Sequence, residues 1–262
     1  MTGWTYVVTE GVHDVAFLAK LIGRRAFRSV GQKASLPEAA QRWLDGFKWP
    51  LKDDIARLAV PAPLFYERSH ESHIVVISNA VGLGGIEKRL VTDLEGMSKE
   101  GIELAAVAIV RDTDDSDAAV ILDSLRQTLR SAGLPVPQAP DIVAHGPPRA
   151  GIFAMPDGAS NGTLENLLLS AGANVYSELH ADAVNYVAVA TPHLAKLDGK
   201  EREDFSKPAG PMKATLAAMT AMLKPGKAIQ TSITDHRWVS DETTGLAEFQ
   251  PLIAFLDALL AP

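Results

Sequence analysis

Apolar positions along the chain follow two rhythms. Short runs that are apolar at nearly every position predict strands buried on both faces. Four such runs occur: Trp4 to Thr9 (WTYVVT), His73 to Ser78 (HIVVIS), Leu104 to Val110 (LAAVAIV) and Gly151 to Met155 (GIFAM). Between them the apolar positions recur with the helical period. Val15, Phe17, Leu18, Leu21 and Ile22 predict a helix over Asp14 to Phe27. Similar stripes predict helices over Glu87 to Lys99 and Ala118 to Ala132, the second ended by Gly133, Pro135 and Pro137. Further helices are predicted at Gly162 to Ala171, Ala181 to Ala190, Met212 to Leu223 and Pro251 to Leu260, with a polar loop over Asp198 to Pro211.

Strands alternating with helices predict an α/β fold, Rossmann-like, with a mainly parallel sheet flanked by helices. Residues 1–190 form the predicted α/β domain, and residues 191–262 a helical extension packed on it. Residues 28–70 fit no minimal repeat and read as an insertion after the first helix. They carry Trp43, Phe47, Trp49, Pro50, Pro61 and Pro63. A helix is expected near Leu36 to Phe47, and the closing VPAPLFYERSHESH reads as a loop.

Composition narrows the chemistry. Cysteine is absent, which removes disulfides, thiolate–zinc sites and thiol nucleophiles. The formal charge is −7, unlike a protein that grips nucleic acid on a basic face. The nearest basic group is Lys20, Arg24, Arg25 and Arg28. A nucleic-acid substrate would therefore need metal ions or a partner to offset the charge. No apolar run reaches membrane-spanning length, and the N-terminus lacks the features of a secretory signal. A cytoplasmic protein is the expectation.

In parallel α/β sheets, chemistry gathers at the carboxyl ends of strands. Glu10 follows the first predicted strand, in EGVHD with Asp14. Asp112 and Asp114 follow the third, in DTDD, and Asp157 the fourth. Positions 112 and 114, two apart at a strand end, are expected on one side. Paired carboxylates repel unless a cation or proton separates them, and an oxygen-only set favours Mg2+ or Mn2+. Asp112 to Asp117 can equally cap the helix that follows.

The joint order strand–EGxxD–helix, strand–helix, strand–DxD–helix resembles the Toprim domain of topoisomerases, bacterial primases, OLD-family nucleases and ribosomal-RNA maturases. It covers roughly residues 4 to 190. The resemblance implies Glu10 as general acid/base or metal ligand and Asp112 and Asp114 as Mg2+ ligands, with Asp14 in support. GIFAMPDGASNGTLENLLLS further resembles a segment of small stand-alone Toprim-like proteins. By the OLD pattern, Glu165 would help hold a second metal, with Asp157 and Ser160 nearby. Lys213, with Lys207 beside it, would match a late lysine that neutralises charge on phosphate. There is no Walker A sequence, so no fused ATPase is expected.

These features imply a Mg2+- or Mn2+-dependent nuclease or nickase acting on DNA or RNA. The alternatives are a non-catalytic binding subunit that partners a separate ATPase or nucleic-acid complex, and cleavage of a small phosphate compound. Val81 to Ile86 (VGLGGI) reads as a turn packing helix on strand. His13 is expected to be exposed, and His70 and His73 read as loop and strand-edge residues.

Overall fold

The computed structural model of the chain describes residues 3–47, 63–68, 72–139 and 141–261. Its centre is a seven-stranded sheet in the order β2-β3-β4-β1-β5-β7-β6. Strands β4 (His73–Asn79), β1 (Gly3–Thr9), β5 (Leu104–Asp112) and β7 (Arg149–Met155) run parallel. They are the four apolar runs, each wrapped on both faces. The edges are antiparallel: β3 (Leu64–Arg68) on β4, β2 (Arg28–Ser29) on β3, and β6 (Val143–Ala144) on β7. The Rossmann-like α/β architecture is therefore present, with antiparallel edge strands added.

Strand alternation separates two cores. Trp4, Tyr6 and Val8 of β1 pack on one face with Leu90 of α3 (Ile86–Lys99) and Leu125 of α4 (Ala118–Ser131). Trp43 and Leu44 of α2 (Glu38–Asp45) complete that layer. Val7 faces the other side, among Phe17 and Leu18 of α1 (Val12–Gly23) and Leu167 and Leu168 of α5 (Leu164–Val175). The helix leaving β1 thus covers one face, and the helix leaving neighbouring β5 covers the other. Such divergence opens a crevice at the strand ends.

The segment after residue 190 shares this second core. Leu216 and Met219 of α7 (Gly210–Leu223), Ile233 of α8 (Ile229–Asp235), and Phe255 and Leu259 of α10 (Gln250–Leu259) all pack there. Trp238 and Phe249, fully buried, fill the space between these helices. Helix α6 (Ser177–Leu194) lies outermost, burying only Ala183 and Val187. The four-residue α9 (Asp241–Thr244) follows Trp238 and is capped by Ser240.

Two expectations are corrected. LFYER, placed in a loop, is strand β3, because Leu64 and Phe65 bury against β4 while the rest is half-exposed. The first helix ends at Gly23 rather than Phe27, where Ala26 takes a positive φ of 61°. Trp49, Pro50, Pro61 and His70 lie outside the described residues. The VGLGG turn does pack helix on strand: a Cβ at Gly85 would stand 2.0 Å from the Ala80 carbonyl oxygen. Among the described residues no helix is long and apolar enough to cross a membrane.

Candidate functional site

The divergence of the helices leaves the carboxyl end of β5 facing two helix N-termini, those of α1 and α5. Side chains from these elements and from α7 line a cavity of about 250 Å3: Glu10, His13, Asp14, Asp112, Glu165 and Lys213 among them. Residues more than 200 positions apart thus meet at one strand end.

Each carboxylate is placed by local structure. Asp14 occupies the first turn of α1 and accepts the Gly11 N–H at 2.8 Å, a capping arrangement. It is 5% exposed. Asp112 ends β5, and its Oδ1 accepts the Leu164 N–H, at the start of α5, at 2.9 Å. A helix N-terminus favours such an anion. Glu165, in the first turn of α5, is 8% exposed rather than solvated, and its Oε2 is buried with no hydrogen-bond partner. The Oε2 of Glu10 is buried and unpartnered too.

The loop from β7 to α5 is tied to the acidic turn. Thr113 lies 1% exposed with its hydroxyl 2.8 Å from the Gly162 N–H and 3.1 Å from the Met155 carbonyl. The Gly162 carbonyl accepts the N–H groups of both Thr113 and Asp114. Asp114 is held at a φ of +49°, so strand alternation stops before it. Strand alternation therefore does not set the position of the Asp114 side chain relative to Asp112. Asp112 feels chiefly Asp14 and Glu165, while Asp114 is the strongest charged neighbour of Glu10. The capping role considered for the whole acidic run falls to Asp117, which accepts the Ala119 N–H at 2.9 Å.

Crowding raises the proton affinity of these groups. Burial, with Glu10, Glu165 and Asp114 nearby, pushes Asp14 up to about 7 against the pull of the Gly11 N–H. Burial, then Asp14 and Glu165, lifts Asp112 well above the usual carboxylate range. Burial and Asp114 raise Glu10, opposed by Arg111 and Lys213. His13 is a half-buried lining residue, not the exposed one expected, and burial lowers its proton affinity.

The rest of the expected set lies elsewhere. Asp157 and Ser160 bond each other, Oγ to Oδ2 at 2.7 Å, and the Ser160 N–H also donates to Asp157. They form an exposed turn and do not line the cavity. Lys207 pairs with Asp204 at 2.5 Å, while Lys213 is at the cavity rim. His73 is buried against the Thr5 hydroxyl at 2.9 Å. Two members of the basic group are held in ion pairs, Arg24 with Asp241 and Arg25 with Asp257. Sequence reasoning passed over Arg111, whose Nε is 3.8 Å from Glu10 Oε2.

The donor set is all oxygen apart from His13, which suits a hard divalent cation. The unpartnered oxygens of Glu10 and Glu165 supply the free ligand capacity such an ion requires. The oxygens are gathered without converging: among the described residues, no three His, Asp or Glu side chains stand in a metal-holding arrangement. Glu10, Asp14, Asp112 and Glu165 are the residues that would hold a cation if one were bound, with Asp114 beside Glu10.

The buried acid at Asp14 has a measurable consequence. A carboxyl that prefers its proton in the folded state contributes stability that is complete below its unfolded value, about pH 4, and lost as pH rises through about 7. In EDTA, Asp14→Asn is expected to melt several degrees above the parent at pH 8, with the gap closing at pH 4. Calorimetry showing the same gap at both pH values would contradict this.

A family model described as "Protein of unknown function (DUF3226)" matches residues 5–261. No curated protein matches the chain. The crystal structure of hypothetical protein PH0156 from Pyrococcus horikoshii OT3 superposes with a TM-score of 0.55 at 18% identity, covering 98% of this chain and 95% of that one. That likeness extends the fold over the full described length.

Proposed function

The chain belongs to the DUF3226 family, whose function is unknown, and from its own side chains we propose a Mg2+- or Mn2+-dependent phosphoryl-transfer protein, a nuclease or nickase of DNA or RNA. One observation carries the reading: Glu10 from the turn after β1, Asp14 of α1, Asp112 of β5 and Glu165 of α5 line one cavity with two buried carboxylate oxygens lacking partners. Buried carboxylates at this density are costly to ionise together without a counter-cation. The order of elements and acidic positions supports a Toprim-like site.

A divalent ion held there by Asp14, Asp112 and Glu165 would supply Lewis acidity and positive charge against phosphoryl oxygens. The chain's own groups do the remainder. In place of ligating the ion, Glu10, with its raised proton affinity, can take the proton of the attacking water. Lys213 at the rim offsets charge developing on phosphate. The Leu164 N–H fixes Asp112.

A second reading, a binding subunit for a separate ATPase or nucleic-acid complex, is favoured by one surface. Val184, Tyr186 and Val189 of α6 and Met222 of α7 are 45–72% exposed beside an apolar groove. The test is incubation of purified protein with supercoiled plasmid and with RNA in Mg2+, Mn2+ or EDTA. Metal-dependent cleavage is expected. Intact polymer throughout, with no heat of metal binding, would overturn the enzymatic reading in favour of the second.

A further inference from the structure

Arg111 is the next-to-last residue of β5, beside Asp112. Its side chain is 9% exposed. Its Nε is shut away from solvent without a hydrogen bond, as is the Glu10 Oε2 it faces across 3.8 Å. That separation is an ion pair and too long for a hydrogen bond. Among the described residues no hydrogen bond from this guanidinium to a protein group occurs.

A guanidinium keeps its charge and offers five donors. Leaving its Nε buried without an acceptor is unfavourable, and the tip of the fork keeps donors to spare. Backbone movement offers no relief, because β5 is locked between β1 and β7 and Arg111 is in register with Ala154. A Glu10 that ligates a cation or takes up a proton leaves Arg111 with less counter-charge.

Charge balance names the replacement. With the carboxylates ionised, as cation binding requires, Glu10, Asp14, Asp112 and Glu165 of the cavity and neighbouring Asp114 exceed the charges of Lys213 and neighbouring Arg111 by three among the described residues. Two divalent ions turn that deficit into a single positive charge, the complement of one phosphoryl anion. Without Arg111 the balance is neutral. The planar fork of a guanidinium also matches two oxygens of a phosphate.

We propose that Arg111 is the phosphate-binding residue of this site, donating to the non-bridging oxygens of the substrate's phosphoryl group when divalent ions are held by the carboxylates. This rests on the metal reading above.

The test is calorimetry on the full chain. Mn2+ is titrated first. Inorganic phosphate, and separately a thymidine dinucleotide as a phosphodiester, are then titrated in saturating Mg2+. Arg111→Gln is expected to weaken phosphate-probe binding about tenfold or more, with Arg111→Lys between, while Mn2+ affinity moves less than about threefold. The melting temperature of each variant confirms folding, and Arg111→Lys carries the comparison if Arg111→Gln does not fold. Arg111-dependent binding of either probe upholds the inference, and the tighter probe tells a free phosphate from a polymer. Unchanged probe affinity in the variants, or an equal fall in Mn2+ affinity, overturns it. Parent protein that binds Mn2+ but neither probe overturns this inference alone. Parent protein that binds no Mn2+ overturns the metal reading and this inference with it.

Discussion

Asp112→Asn is expected to abolish metal-dependent cleavage while making the cation-free protein more stable. Loss of a group that merely supports a metal ligand typically weakens affinity about 10–100-fold, so loss of a ligand itself should lower the cleavage rate at least about a hundredfold. The fold has no matching reason to keep the charge. The asparagine retains the oxygen that accepts the Leu164 N–H, and it removes an ion buried beside Asp14 and Glu165. Burial raises the proton affinity of Asp112. Its contribution to stability is therefore full below the usual carboxylate range and lost as pH rises above it. The variant should accordingly melt higher than the parent in EDTA at pH 8, and lower than the parent when Mn2+ is added. A chain of this size shifts by about 2–4 °C per kcal/mol, which scanning calorimetry resolves. A variant that cleaves normally, or that is destabilised in EDTA, would count against Asp112 as a metal ligand.

Asp93→Ala should destabilise the molecule more than any change at the acidic site. Asp93 Oδ2 accepts from the Tyr6 hydroxyl at 2.7 Å, the Ser78 hydroxyl at 2.8 Å and Arg89 Nε at 2.7 Å, at 1% exposure between α3 and the sheet. Removing one member of a buried charged pair costs about 3–5 kcal/mol, because the partners stay behind without their acceptor. Urea unfolding should show that loss in the midpoint. Tyr6→Phe, which deletes one donor, should cost only about 1 kcal/mol. Mn2+ binding should be untouched by either change, since this network lies on the face away from α1 and α5. A loss below about 1 kcal/mol for Asp93→Ala would show that the network does not hold the sheet.

The four parallel strands are legible because burial on both faces leaves an unbroken apolar run. Edge strand β3 is not: Tyr66, Glu67 and Arg68 are half-exposed, and five residues of mixed polarity look like a loop. The acidic set is legible as strand-end residues, but the break in alternation at Asp114 is not. The left-handed turn at Asp114 follows from Thr113 bonding to a loop nearly 50 positions away. Asp157 and Ser160 mislead because a turn that bonds itself resembles a ligand pair in one dimension. Arg111 escapes because a charged residue is taken to end a strand, whereas β5 runs on to Asp112. Asp93 carries a signal that can be used elsewhere. It sits on the apolar stripe of α3, between buried Leu90 and Met97, where a carboxylate demands buried donors.

The shared core beyond residue 190 matters for how the molecule is made. A growing chain that has reached residue 190 holds every strand of the sheet and every carboxylate of the cavity. It still lacks Phe249 and Phe255, the rings that close over Phe17 and Phe153, and Trp238, which packs on Tyr176. Until they emerge, the face that α1 and α5 begin to cover keeps apolar surface open and sticky. The expected boundary near residue 190 is therefore a poor place to cut. Synthesis must pass it before the nascent protein can leave the care of chaperones.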